Sequence, residues 1–300
     1  MPIRNVVLLS HQGAGKTSLA ELMLFTSRTI QRLGSVADGT TTSDYDPIEV
    51  ERRMGINLSL LPMQWQGMKL NVIDTPGYAD FVGEARSGLR VTEGAIIVIC
   101  AASGVEVGTE QMWSDAAKAN LPRLVFVNKM DRDNADFLST LKGIQAKLSP
   151  KCLPLQLPIG SQKDFQGIID LVTMKACIGT DSQEAEIPPD LQEQAKTNRE
   201  KLVEAAVEVD DELINKYLEG EAISNEEVLA AIRKSTIAGK LMPVFAGSAL
   251  KGMGPRQVLD GICSYLPSPE EKGIIAAKNV STGDQVEIKP SSESPLAALV

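Results

Sequence analysis

Three hundred residues with 43% hydrophobic and 23% charged side chains suffice for a full buried core, ordinary for a soluble globular chain. The net charge is −9, but residues 181–230 hold 15 acidic and 4 basic side chains, so this segment carries −11 and argues against nucleic-acid contact there, while the remainder is about +2. No apolar run reaches membrane-spanning length, the start does not read as a signal peptide, and Cys100, Cys152, Cys177 and Cys263 lack metal-ligand spacing, which together point to a cytoplasmic protein with reduced thiols.

In chain order, a strand is predicted at 5–9 and an amphipathic helix at 17–28. Between them lies Ser10-His11-Gln12-Gly13-Ala14-Gly15-Lys16-Thr17, which departs from G-x-x-x-x-G-K-[ST] only at its first position. Backbone N–H groups of such a loop must wrap a phosphate closely, which explains glycine at 13 and 15. Lys16 is placed to bridge β- and γ-phosphates and the Thr17 hydroxyl to ligate Mg²⁺, with Gln12, Gly13, Ala14, Gly15 and Ser18 completing the cradle. His11 is the single histidine. It precedes the glycines, and its side chain is expected to point away from the γ-phosphate.

Residues 30–56 are polar and aperiodic and read as a long mobile loop. Strands at 57–65 and 68–73 are joined by a tight Gln66-Gly67 turn. The second ends in Asp74-Thr75-Pro76-Gly77. Asp74 can hold Mg²⁺ through water, and the Gly77 N–H can approach the γ-phosphate. Such a turn alone is weak evidence, and at this distance from the phosphate loop it becomes strong. A helix at 79–92, a strand at 95–101, a helix at 109–120, a strand at 123–127 and a helix at 135–148 follow.

Asn128-Lys129-Met130-Asp131 decides the base. Guanine presents N1–H and N2–H₂ donors, and an ionised Asp131 accepts both. Adenine would leave a buried carboxylate unpaired, a mismatch rejected by on the order of 10⁴ or more. Asn128 would tie this loop to the phosphate loop, and the Lys129 stem would lie on base and ribose.

The alternation then stops. Residues 160–240 hold a β-like stretch at 167–178, a Pro188-Pro189 break and acidic helical segments near 190–207, 210–218 and 225–238. A strand at 243–246 and a helix at 255–265 then finish the parent sheet, so this region reads as an insertion. Gly247-Ser248-Ala249 is expected to place a backbone N–H near the guanine carbonyl. The expected fold is α/β: a P-loop, doubly wound, mostly parallel sheet with one antiparallel edge pair and an inserted acidic α+β subdomain. The expected division is a nucleotide-binding domain over 1–285, with its insertion at about 160–240. Residues 286–300 would form a linker and an apolar strand at 295–300, the start of a further domain in a longer protein.

These motifs, in this order and with this insertion, resemble the translational GTPases, in particular the elongation factor G branch, over essentially the whole chain. The phosphate loop is similar to that family's A-H-x-D-A-G-K-T. Val125-Phe126-Val127-Asn128-Lys129-Met130-Asp131-Arg132, Leu157-Pro158-Ile159-Gly160, Gly167-Ile168-Ile169-Asp170-Leu171-Val172 and Tyr265-Leu266-Pro267-Ser268-Pro269 are similar to the same branch. The resemblance implies GTP/GDP and Mg²⁺ as ligands, a GTPase activity, and a monomeric multidomain factor that binds the factor site of the ribosome. It also implies that the acidic insertion faces the large-subunit stalk protein, and that 295–300 opens a β-barrel domain.

Several positions depart from the family. Its D-T-P-G-H ends here in Tyr78, where the family's histidine positions the attacking water. Its R-G-I-T is Met54-Gly55-Ile56-Asn57, which puts Asn57 in place of the threonine that ligates Mg²⁺, and its loop aspartate is Gly13. Tyr78, Gly77 and Lys16 therefore stand as the catalytic candidates, and hydrolysis is expected to be slow. The pattern resembles a divergent paralogue. A GTP-gated binding module without turnover, or a ribosome-protection or release-type factor, is the alternative.

Overall fold

The apolar run at the start of the chain forms β1 (Ile3–Leu9) and leads through the glycine-bearing loop into α1 (Lys16–Thr26) in the computed structural model, which describes residues 1–291 and 294. Then come α2 (Pro47–Arg52), the hairpin β2 (Ser59–Trp65) and β3 (Met68–Asp74), and α3 (Val82–Arg90). Next are β4 (Gly94–Cys100), α4 (Val107–Lys118), β5 (Arg123–Asn128) and α5 (Phe137–Lys147). All seven residues of β4 are buried, as expected for a strand covered by helices on both faces.

Beyond α5 the short strands β6 (Cys152–Pro154), β7 (Gln156–Ile159), β8 (Gly167–Asp170), β9 (Lys175–Ile178) and β10 (Gln183–Ala185) precede three helices. These are α6 (Gln192–Val207), α7 (Asp211–Leu218) and α8 (Asn225–Ile237). The chain returns through β11 (Met242–Ala246), α9 (Pro255–Tyr265) and α10 (Pro269–Lys272), and the described part closes with the hairpin β12 (Ile275–Lys278) and β13 (Gln285–Ile288).

The main sheet has the order β2-β3-β1-β4-β5-β11-β6, parallel except for the β2–β3 edge pair. This is the mostly parallel α/β fold read from the sequence. β7 to β10 make a separate antiparallel sheet, followed by α6 to α8. Helix α6 turns Ala195, Leu202, Val203, Ala206 and Val207 inward, leaving Glu193, Glu200 and Glu204 exposed. No helix among the described residues is long and apolar enough to cross a membrane.

Several features differ from the sequence reading. β6 was not expected and adds an edge strand to the main sheet, and β7 starts the second sheet at Gln156, ahead of residue 160. Both are short and carry proline, so they show no alternation to read. Residues 286–288 belong to β13 of a hairpin. The strand expected at 295–300 lies outside the described residues.

The segment 30–56 is the largest departure. It contains α2, opened by a capping box in which the Asp46 side chain accepts from Ile48 N (2.8 Å) and Glu49 Oε2 accepts from Asp46 N (3.1 Å). Its course is held by two buried carboxylates. Glu21, from α1, accepts from Gly34 N (3.1 Å) and Thr42 N (2.8 Å). Glu49, fully buried, accepts from Ile56 N (2.8 Å) and Asn57 N (2.9 Å).

Candidate functional site

In a doubly wound sheet the carboxyl ends of the strands open onto a crevice, because the connections on that side splay apart. Four loops meet there: residues 10–15 after β1, 75–78 after β3, 129–131 after β5 and 247–249 after β11. Strands β3, β1, β4, β5 and β11 are consecutive in the sheet, so loops distant in sequence become neighbours.

The phosphate-loop end is a cleft of about 260 Å³ lined by Gln12, Gly13, Gly15, Lys16, Thr17, Ser18, Asn57, Asp74, Gly77, Tyr78 and Lys129, among others. Gly13 (φ 75°) and Gly15 (φ 96°) take left-handed backbone. Gly15 carries a second constraint, for a Cβ there would stand 2.5 Å from Asn128 Nδ2. Ala14 does not line the cleft. It is fully buried, and its carbonyl faces Asn128.

Asn128 ties three of these loops together. Its Nδ2 donates to Ala14 O (2.9 Å), and its Oδ1 accepts from Lys129 N (2.8 Å) and Ala249 N (2.9 Å). Lys129, at φ 63°, sends its Nζ to Gly13 O. Asp131 accepts from the Ser248 hydroxyl. Gly247 N donates to Val127 O (3.0 Å) and Ser248 N to Met253 O (2.9 Å), so all three N–H groups of 247–249 are engaged inside the protein. For Ala249 to present its N–H to a guanine carbonyl, it would exchange that bond with Asn128. Leu250, beside this loop, is 85% exposed.

Charge is concentrated at Lys16 and Asp74. Burial pushes the Lys16 ammonium down to about 8, against the pull of Asp74. Burial likewise pushes the Asp74 carboxyl up to about 6, against its bond to Thr17 and the Lys16 charge. Lys16 Nζ lies on His11 O (3.1 Å) and Ser10 O (3.5 Å).

Thr17 Oγ1 donates to Asp74 Oδ2 at 2.7 Å, while Asp74 Oδ1 is buried without a hydrogen-bond partner. No cluster of three or more His, Cys, Asp or Glu that could hold a metal occurs among the described residues. A hydroxyl with one carboxylate whose second oxygen is free fits Mg²⁺, which keeps most of its shell for water and phosphate oxygens. Asn57 lines the same cleft, with its amide nitrogen on Glu49 Oε1 (3.5 Å).

His11 is turned away from the cleft. Its Nδ1 pairs with Thr109 Oγ1 (2.8 Å) and its Nε2 with Glu106 Oε1 (3.0 Å). Burial lowers its pKa below the ordinary histidine value against the opposing pull of Glu106, whose carboxylate accepts from Nε2–H. Gly77 sits against the phosphate loop, and the Tyr78 hydroxyl accepts from Gln12 Nε2. Glu21 and Glu49, which shape the wall carrying Asn57, were also missed. Glu49 had a legible signal in the Asp46-Pro47-Ile48-Glu49 capping pattern, whereas Glu21 showed only as a lone acid on an apolar helix.

Comparison with known proteins identifies the family and the fold. The family described as elongation factor Tu GTP binding domain matches residues 1–268. Elongation factor G of Thermotoga petrophila is 42% identical over 99% of this chain and 44% of the relative. That of Thermotoga maritima gives the same identity and coverage. A solved structure from Thermus thermophilus superposes with a TM-score of 0.86 at 35% identity, covering 95% of this chain and 44% of that one. The chain thus spans less than half the length of the curated relatives it matches.

Proposed function

Because the chain belongs to the elongation factor Tu GTP-binding domain family, we propose that it binds GTP and GDP with Mg²⁺ and hydrolyses GTP slowly, as the switch of a ribosome-associated translation factor. The observation that supports this best is the Asn128 junction. One buried amide holds the phosphate loop through Ala14 and the base loop through Lys129 and Ala249, so phosphate and base recognition are set at one spacing.

In this reading the N–H groups of Gln12, Gly13 and residues 15–18 wrap the phosphates and Lys16 spans the β- and γ-phosphates. The Gly77 N–H meets the terminal phosphate. Asp131 accepts from the guanine N1–H and N2–H₂, with the Lys129 stem and Leu250 giving apolar cover to the base. Thr17, Asp74 and Asn57 would hold Mg²⁺, which when bound neutralises phosphate oxygens and withdraws charge from the bridging oxygen. Equilibrium binding should show GDP and GTP bound at micromolar or better with negligible ATP. Phosphate release from GTP should rise when ribosomes are added to the full-length protein. GTP bound on ribosomes without release would favour a non-hydrolysing binding module instead.

The insertion's charge of −11 over residues 181–230 would be repelled by RNA, so its exposed face suits solvent or a basic protein surface such as the stalk protein of the large subunit. Glu193, Glu200 and Glu204 are exposed at helical spacing on α6. Reversing their charge is expected to weaken stalk-dependent stimulation and leave nucleotide affinity intact. Unaltered stimulation in those variants would mark the face as merely solvating.

A further inference from the structure

Hydrolysis requires a group that holds one water in line with the terminal phosphorus, and the geometry points to Gln12 for that part. This rests on the reading of the cleft as a GTP site. Gly77 lies so close to the phosphate loop that a Cβ there would stand 2.6 Å from Lys16 Nζ and 2.8 Å from Gln12 N and Cα. Gln12, the Lys16 ammonium and the Gly77-Tyr78 step therefore meet at one corner of the cleft, where a terminal phosphate reaches Lys16. Gln12 is exposed in that corner, so its amide is open to water.

The direction of the Gln12–Tyr78 hydrogen bond assigns the roles. Gln12 Nε2 donates to the Tyr78 oxygen. The phenol's own proton then makes it a donor, which does not suit a water that must shed a proton. The amide's other branch, Oε1, is a pure acceptor whose orientation is set by the Tyr78 contact. His11, the other candidate acceptor nearby, is withdrawn onto Thr109 and Glu106.

Gln12 is thus the catalytic residue, accepting a hydrogen bond from the attacking water, and Tyr78 is a positioning residue that clamps it. The water oxygen bonds to the γ-phosphorus. The bond from that phosphorus to the bridging oxygen breaks, with its electron pair leaving on GDP. The water's proton passes to the departing phosphate, and Gln12 emerges unchanged.

The test is single-turnover cleavage of γ-labelled GTP by the full-length protein on ribosomes, with GDP affinity measured in parallel. At saturating GTP, Gln12→Ala and the volume-keeping Gln12→Leu should each slow cleavage about 100-fold, and Tyr78→Phe about tenfold. Because Tyr78 acts through Gln12, the double variant Gln12→Ala/Tyr78→Phe should be no slower than Gln12→Ala alone. Native-rate cleavage by Gln12→Ala, fully additive losses in the double variant, or a native protein that binds GTP and never cleaves it would each overturn the assignment. A native protein that binds no guanine nucleotide would overturn the underlying GTP-site reading as well, and the GDP measurement distinguishes that case.

Discussion

Asp131→Asn is expected to lower the preference for GDP over ADP by about three orders of magnitude. The carboxylate offers acceptors to both guanine donors. An amide keeps one acceptor and turns an N–H₂ toward a donor, so one favourable bond becomes a clash and the charge is lost. Asp131 is half-buried and already accepts from Ser248, so its orientation is held and water replaces it poorly. Xanthine carries a carbonyl where guanine carries N2–H₂, and the variant should therefore gain affinity for XDP. Competition of GDP, ADP and XDP for a fluorescent nucleotide measures all three. Guanine selectivity left intact would put the base somewhere other than Asp131.

Lys16→Met should lower GTP affinity by about two orders of magnitude, since it removes a buried charge–phosphate contact of roughly 3 kcal/mol while keeping the apolar stem. A pH signature accompanies the loss. Burial holds the free Lys16 at about 8, and an anionic phosphate favours the charged form, so native affinity should fall as pH rises through 8. Burial holds Asp74 at about 6, and a cation favours its carboxylate, so Mg²⁺-dependent affinity should fall as pH drops through 6. Native binding is then flat between those values.

The same shift works the other way on stability. The Lys16 pKa is lowered on folding, so its charged form weighs against the fold below about 8, a cost relieved as pH climbs toward the unfolded value of 10.5. Calorimetry across pH 5–10 on native protein and Lys16→Met resolves both limbs. An alkaline limb that persists in the variant would assign it to another group.

Much of the fold could be read because its signals are local. β4 is an unbroken apolar run and β1 and β5 carry apolar cores at 6–9 and 124–127, the mark of strands buried on both faces, and the turn residues that follow β1, β3 and β5 form motifs legible at their own positions. β6 and β7 escaped because three or four proline-bearing residues show no period. The segment 30–56 looked structureless because its own residues do not hold it. Glu21 anchors Thr42 and Gly34 from another element, and nothing local to 34–42 announces that partner.

The sequence by itself determined which residue types stand at the strand–turn positions proposed for phosphate, metal and base, because such motifs are specified within a few residues of chain. It also exposed Tyr78 and Asn57 as departures from the family pattern. Only the tertiary structure decided how those positions act on one another. Gly15 must lack a Cβ for Asn128, His11 is drawn away by α4, and the Tyr78 hydroxyl is met by Gln12 across 66 residues of chain. The reason is physical. A side chain's partner across a parallel sheet is set by strand order and register, and neither is a property of any local stretch of residues.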